Sequence, residues 1–143
     1  MPETIRLGGL ELRFLRSGED TAGSLDLFEM TVQPKARMPV PHYHGNSDET
    51  VYGLAGTTTW RVDGQDIALA PGETVLIRRG VVHGFRNDGQ EAATCLCVLT
   101  PVVLGPGYSR ELAGLLGGAG GPPDPARVKE VMLRHGLVPV PDA

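Results

Sequence analysis

The chain has 143 residues, enough for one domain that buries roughly two-thirds of the surface its unfolded form exposes. Its formal charge of -4 and pI near 5.5 leave no broad basic surface to neutralise a phosphate backbone, so nucleic acid is not an expected partner. No stretch approaches the roughly 18 apolar residues of a membrane span, and the start, Met-Pro-Glu-Thr-Ile-Arg, lacks the pattern of a secretory signal; the expectation is a cytoplasmic protein with no membrane partner.

Glycine (20) and proline (12) together exceed a fifth of the chain, and aromatic residues are scarce. That mixture predicts many short strands joined by tight turns. Residues 10–16 and 25–33 read as the first two strands. Turn signals then recur at a steady interval, at residues 45–48, 55–56, 63–64, 71–72, 79–80 and 87–89, which is the punctuation of an antiparallel barrel or sandwich. Between them lie runs rich in β-formers, such as residues 57–62 and 73–77. Asp63-Gly64 predicts a two-residue hairpin, because both turn positions want positive φ. Residues 93–100 read as a last buried strand. Within it Cys95 and Cys97 point to one face at a spacing poorly suited to a disulfide, and read as reduced core residues, with a cavity-lining role for one of them as the alternative.

No helical period of useful length appears before residue 105. After it, residues 108–116 predict a short helix and residues 117–123 a link. Asp124 is a good N-cap, Pro125 suits the first helical position, and Gly136 stands just past the end. The division expected is a β-barrel over residues 1–104 and a helical tail over residues 105–143, packed on the barrel or on a partner subunit.

Three of the four histidines fall in two short segments. In Pro41-His42-Tyr43-His44 strand alternation sends both imidazoles to one face, with Cα atoms about 6.5 to 7 Å apart, so they can converge on one ion. The turn at residues 45–48 is expected to reverse the chain and return Glu49 opposite His44 on the next strand. His83, just past the Arg79-Gly80 turn, supplies a fourth ligand from a distant strand, as inward residues of a barrel do. A lone strand histidine is more often a surface or core residue, and His135 on the tail is read that way; for His42, His44, Glu49 and His83 each spacing serves convergence on a metal. Asp48 reads as a solvated turn residue, with replacement of Glu49 as ligand as the alternative.

These residues resemble the two motifs of the cupin superfamily, in particular its small single-domain, quercetinase-like members. His42, His44, Glu49 and Gly56 match the first motif; Gly72, Gly80, His83 and Asn87 match the second. Ala36 stands where the first motif opens with glycine, and Arg78 where the second has proline; neither is a ligand. The motifs span residues 36–87, and flanking strands extend the likeness to residues 5–102. The resemblance implies an all-β fold, a double-stranded β-helix or jelly-roll barrel with short C-terminal helices, and a homodimer.

Three imidazoles and one carboxylate suit Fe(II), Mn, Ni, Co or Zn, and ligand type does not choose among them. Four protein ligands leave one or two positions for water or substrate. Alternation places Phe85 on the face of His83 and Val51 on the face of Glu49, with Trp60 and Val62 inward on the next strand; Trp60, Phe85 and Val51 are the candidate substrate contacts, against a plain core role. Tyr43, Tyr52 and Arg61 alternate outward. The leading expectation is an oxygenase-like enzyme acting on a small oxygen-bearing substrate, with Glu49, as the resemblance implies, both ligand and proton acceptor. The alternatives are an O2-independent isomerase, cyclase or lyase, and a non-catalytic metal-dependent binding module.

Overall fold

The computed structural model describes residues 2–38, 40–101, 105–116 and 124–141. Ten strands come first: β1 (Glu3–Leu7), β2 (Leu10–Arg16), β3 (Asp26–Val32), β4 (His42–His44), β5 (Ser47–Ala55), β6 (Thr58–Val62), β7 (Gln65–Leu69), β8 (Thr74–Ile77), β9 (His83–Arg86) and β10 (Ala93–Pro101). Then follow α1 (Pro106–Leu116), α2 (Pro125–Arg134) and a short β11 (Leu137–Pro139). The strands form two antiparallel sheets, in the orders β1-β2-β3-β10-β5-β8 and β11-β4-β9-β6-β7. The turn spacing predicts an antiparallel barrel or sandwich, and the two sheets are the all-β, jelly-roll arrangement that the cupin resemblance implies.

Alternation builds both layers. Along β3 and β10 every second residue is buried, so Phe28, Met30 and Val32 face the same interior as Cys95, Cys97 and Leu99. The Phe14 and Phe28 rings pack with centroids 4.9 Å apart. Asp63 and Gly64 have φ of 50° and 79° and join Val62 to Gln65, as the two-residue hairpin demands. Asn87, fully buried, donates through Nδ2 to the carbonyls of Val32 (2.9 Å) and Glu91 (2.8 Å) and accepts from Gly89 N (2.9 Å). It welds the loop after β9 to the opposite sheet.

Three expectations need correction. Residues 45–48 do not form a hairpin turn: Ser47 and Asp48 already lie in β5, and β4 and β5 belong to different sheets. The chain passes from one layer to the other there, so Glu49 faces the histidines across the interior and does not stand beside His44 in a ladder. His83, by contrast, is on an adjacent strand, directly opposite His42 in the β4–β9 pair. The tail contains a strand as well as helices: β11 pairs with β4, setting Leu137 against His44 and Pro139 against His42. Neither β1 nor β11 is among the strands expected from the sequence.

Helix α2 starts as its signals require. The Asp124 side chain caps α2 by accepting from Ala126 N, Pro125 opens the helix, and Gly136 follows it with φ 83°. Helix α1 begins at Pro106, two residues before the predicted start. The expected link at residues 117–123 lies outside the described residues.

Candidate metal centre

His42 and His44 enter from the short strand β4, His83 from β9, and Glu49 from β5 of the facing sheet. All four are buried. Each neighbour in sequence that could disturb β4 is tied down: Gly80 N donates to the His44 carbonyl at 2.8 Å, Gly45 N to the Gly136 carbonyl at 3.3 Å, and Val140 N to the Pro41 carbonyl at 2.8 Å. A three-residue strand is thereby held on both edges.

The imidazole centroids lie 4.8 to 5.3 Å apart, and one ligand nitrogen from each ring falls within 4.8 Å of the others. Donors at about 2.1 Å from a common ion stand roughly 3 to 3.5 Å apart, so small χ rotations close the set. Glu49 Oε1 is 3.5 Å from His44 Nε2 and 3.6 Å from His83 Nε2. These separations are too long for good hydrogen bonds; they set the carboxylate beside two of the three rings, while the mutual 4.8 Å grouping comprises His42, His44 and His83.

The rings are also prepared chemically. Nδ1 of His42 lies 3.0 Å from the Val40 carbonyl and Nδ1 of His83 lies 3.1 Å from the Val81 carbonyl. A carbonyl only accepts, so Nδ1 carries the proton in both rings and Nε2 presents a lone pair. His83 Nε2 is buried without a hydrogen-bond partner; such a costly orphan is explained by a cation. Burial, with the imidazoles of His83 and His44 beside it, pushes the His42 imidazole down to about 3 from an ordinary 6.5, which keeps it neutral and able to ligate. Burial alone would raise the Glu49 carboxyl, yet the His44 and His83 imidazoles turned toward it outweigh burial and hold it below the usual carboxylate range. Three imidazoles and one carboxylate are a donor set that fits a divalent transition ion.

His42, His44 and Glu49 form one wall of an internal cavity of about 90 Å³ whose other walls are almost entirely apolar. Phe85 lines it. Trp60 and Val51 are fully buried but do not line it: Trp60 packs behind Phe85, ring centroids 5.0 Å apart, and its indole N–H donates to Thr58 Oγ1 at 2.9 Å. Their place is the core one. Asp48 turns outward, where it accepts from Arg79 N, Nε and Nη2, and is not directed at the centre. Cys95 and Cys97 are free, buried, and 3.9 Å apart at sulfur. The Cys97 thiol is pushed up by Cys95, by burial and by the nearby Glu49 carboxylate.

Sequence reasoning missed the far walls. Leu12, Phe14 and Met30 come from the facing sheet, and Tyr108, Leu112 and Met132 from α1 and α2. The strand residues were visible as alternating apolar positions; nothing local marks the helical ones. Asp26, also on the wall, accepts from Gly18 N at 3.1 Å and Gly105 N at 2.6 Å, fixing where α1 leaves the barrel.

The Cupin_2 family, described as Cupin domain, matches residues 28–99, a stretch that contains every candidate ligand. The chain belongs to the cupin family. This cupin is 34% identical over 108 residues to Protein SchB of Streptomyces halstedii, covering 74% of this chain and 76% of that protein. It is 42% identical over 55 residues to quercetin 2,3-dioxygenase of Bacillus subtilis, but the match spans 38% of this chain and only 16% of that enzyme. Among solved structures it resembles the polyketide cyclase RemF of Streptomyces resistomycificus, with 27% identity, a TM-score of 0.59 and coverage of 69% of this chain and 72% of that one. Among the described residues, no helix is long and apolar enough to cross a membrane.

Proposed function

We propose that this cupin is a metal-dependent enzyme that acts on a small, flat, oxygen-bearing organic substrate, with an oxygenase-type reaction as the first reading. The observation that carries it is the convergence of three imidazoles, with the Glu49 carboxylate beside two of them, at the wall of an apolar cavity. A purely structural ion has no use for such a cavity, whereas a substrate does.

His42, His44, Glu49 and His83 would hold the ion, one of Fe(II), Mn, Ni, Co or Zn, which would supply Lewis acidity and, where redox-active, electron exchange with O2. Glu49, kept anionic, takes the proton of a substrate hydroxyl. Phe85 and the apolar walls hold the ring system and exclude water. Tyr108, whose phenol is raised by burial, stays neutral and offers an O–H donor to a substrate oxygen.

The similarity to a quercetin dioxygenase supports the oxygenase reading. A second reading, O2-independent ring closure, is favoured by the likeness to a polyketide cyclase over 72% of that chain. The test is incubation of Fe-, Mn-, Ni-, Co- and Zn-loaded protein with flavonols, catechols and linear polyketone mimics, with and without O2. Substrate-dependent O2 uptake supports the first reading, turnover indifferent to O2 the second, and no turnover with any metal refutes both. We also propose a homodimer, supported by Tyr52, Leu54 and Leu76, which stand exposed on the outer face of β5 and β8.

A further inference from the structure

The metal cavity is roofed by the tail. Leu112 of α1, Met132 of α2 and Leu137 of β11 all line it, and behind the histidines β4 is bonded to β11 on one edge and β9 on the other. The remaining walls are strand residues together with Met38 and Val40 from the segment before β4, so these two residues and the helices of the tail are where the wall is not hydrogen-bonded sheet.

A second, wider apolar groove of about 430 Å³ lies outside, between the end of α1, helix α2 and β11, where Leu116, Ala126 and Pro139 contribute to its walls. Three side chains, Val40, Val128 and Met132, line both spaces. They are the partition between the outer groove and the metal.

We propose that this groove is the vestibule through which an apolar, oxygen-bearing substrate reaches the metal cavity, and that Met132, flanked by Val40 and Val128, is its gate. The inference rests on the substrate class proposed above. Met132 is suited to gating because its thioether chain is unbranched and can swing among rotamers without breaking a hydrogen bond. Val40 is only half-buried and lies just before the ligand strand. Helix α2 is held to α1 through Glu111, which pairs with Arg134 and with His135 at 2.8 Å, and through the Tyr108–His135 ring contact and buried Val131, so the gate is the Met132 side chain and the helix stays in place. Lys129 stands at the rim of the groove, where its ammonium can meet a phenolate or carbonyl oxygen without entering the cavity.

The test uses the full chain loaded with Co(II) and 4-nitrocatechol, a chromogenic bidentate probe whose absorbance reports coordination in stopped flow; azide is the small control ligand. Ala126→Trp fills the exposed outer groove without touching the inner cavity, and Met132→Trp plugs the gate. In A126W, association and dissociation of 4-nitrocatechol are expected to slow together by about tenfold with Kd unchanged, the mark of an obstructed route, while azide rates and cobalt content stay at the wild-type level. M132W is expected to slow the probe further, and Met132→Ala to speed it. Wild-type probe rates in A126W, with cobalt retained, overturn the vestibule and leave the metal-substrate reading standing. Failure of 4-nitrocatechol to perturb wild-type Co(II) protein overturns both. If M132W does not fold, A126W decides alone.

Discussion

Acid should loosen the metal-free protein through one ring. The fold opposes protonation of His42, holding it near 3, whereas the unfolded chain protonates the same imidazole near 6.5. Below pH 6.5 the unfolded state therefore binds more protons than the native state, and stability falls as pH falls. Each pH unit well below that point costs about 1.4 kcal/mol for one such group. Between about pH 6.5 and pH 4.5, before most carboxylates titrate, the loss approaches about 2–3 kcal/mol, against a total of about 5–15 kcal/mol for an ordinary domain. Urea unfolding of chelator-treated protein at a series of pH values reads this directly. His42→Gln keeps a polar side chain but cannot take the proton, so its midpoint should be flatter across the same window by about that amount. Equal slopes for wild type and variant would mean that His42 is not held neutral, and the electrostatic account of the centre would be wrong. Adding the metal should raise stability at pH 7, by mass action, and steepen the acid limb, because protons then compete with the ion for the same lone pairs.

Asn87→Ala removes three hydrogen bonds and orphans buried backbone groups; we expect a loss of about 3 kcal/mol in urea unfolding, with metal content per folded molecule unchanged. Native protein should leave a thiol reagent such as DTNB unreacted at pH 8, because Cys95 and Cys97 are buried and the Cys97 thiol is pushed up; two thiols should react after unfolding, and rapid reaction of folded protein would show that the β10 interior is open. Leu76 is 57% exposed, so Leu76→Glu is expected to convert the proposed homodimer to a monomer in light scattering without lowering thermal stability. An unchanged mass would remove that face from the interface.

The amino-acid sequence by itself settled what is local. Alternation over β3 and β10, the Asp63-Gly64 turn, the Asp124 cap and the spacing of His42 and His44 are each written within about ten residues, and the backbone realises them because side-chain direction follows from period and turn geometry from φ. The two-motif pattern likewise marked His42, His44, Glu49 and His83 as a set. Which sheet each strand joins was not legible. A two-residue gap between β4 and β5 serves a hairpin or a crossing between layers equally well, and only the competing ladders, β11 and β9 for β4 against β10 and β8 for β5, decide it. The same holds for the cavity: Trp60 and Phe85 share a hydrophobic pattern, yet one packs behind the other, and Met132, distant in sequence, lines the same space as His42 and His44. Those outcomes depend on which surfaces remain uncovered once the sheets have closed, a property of the packed whole that no short window of residues contains.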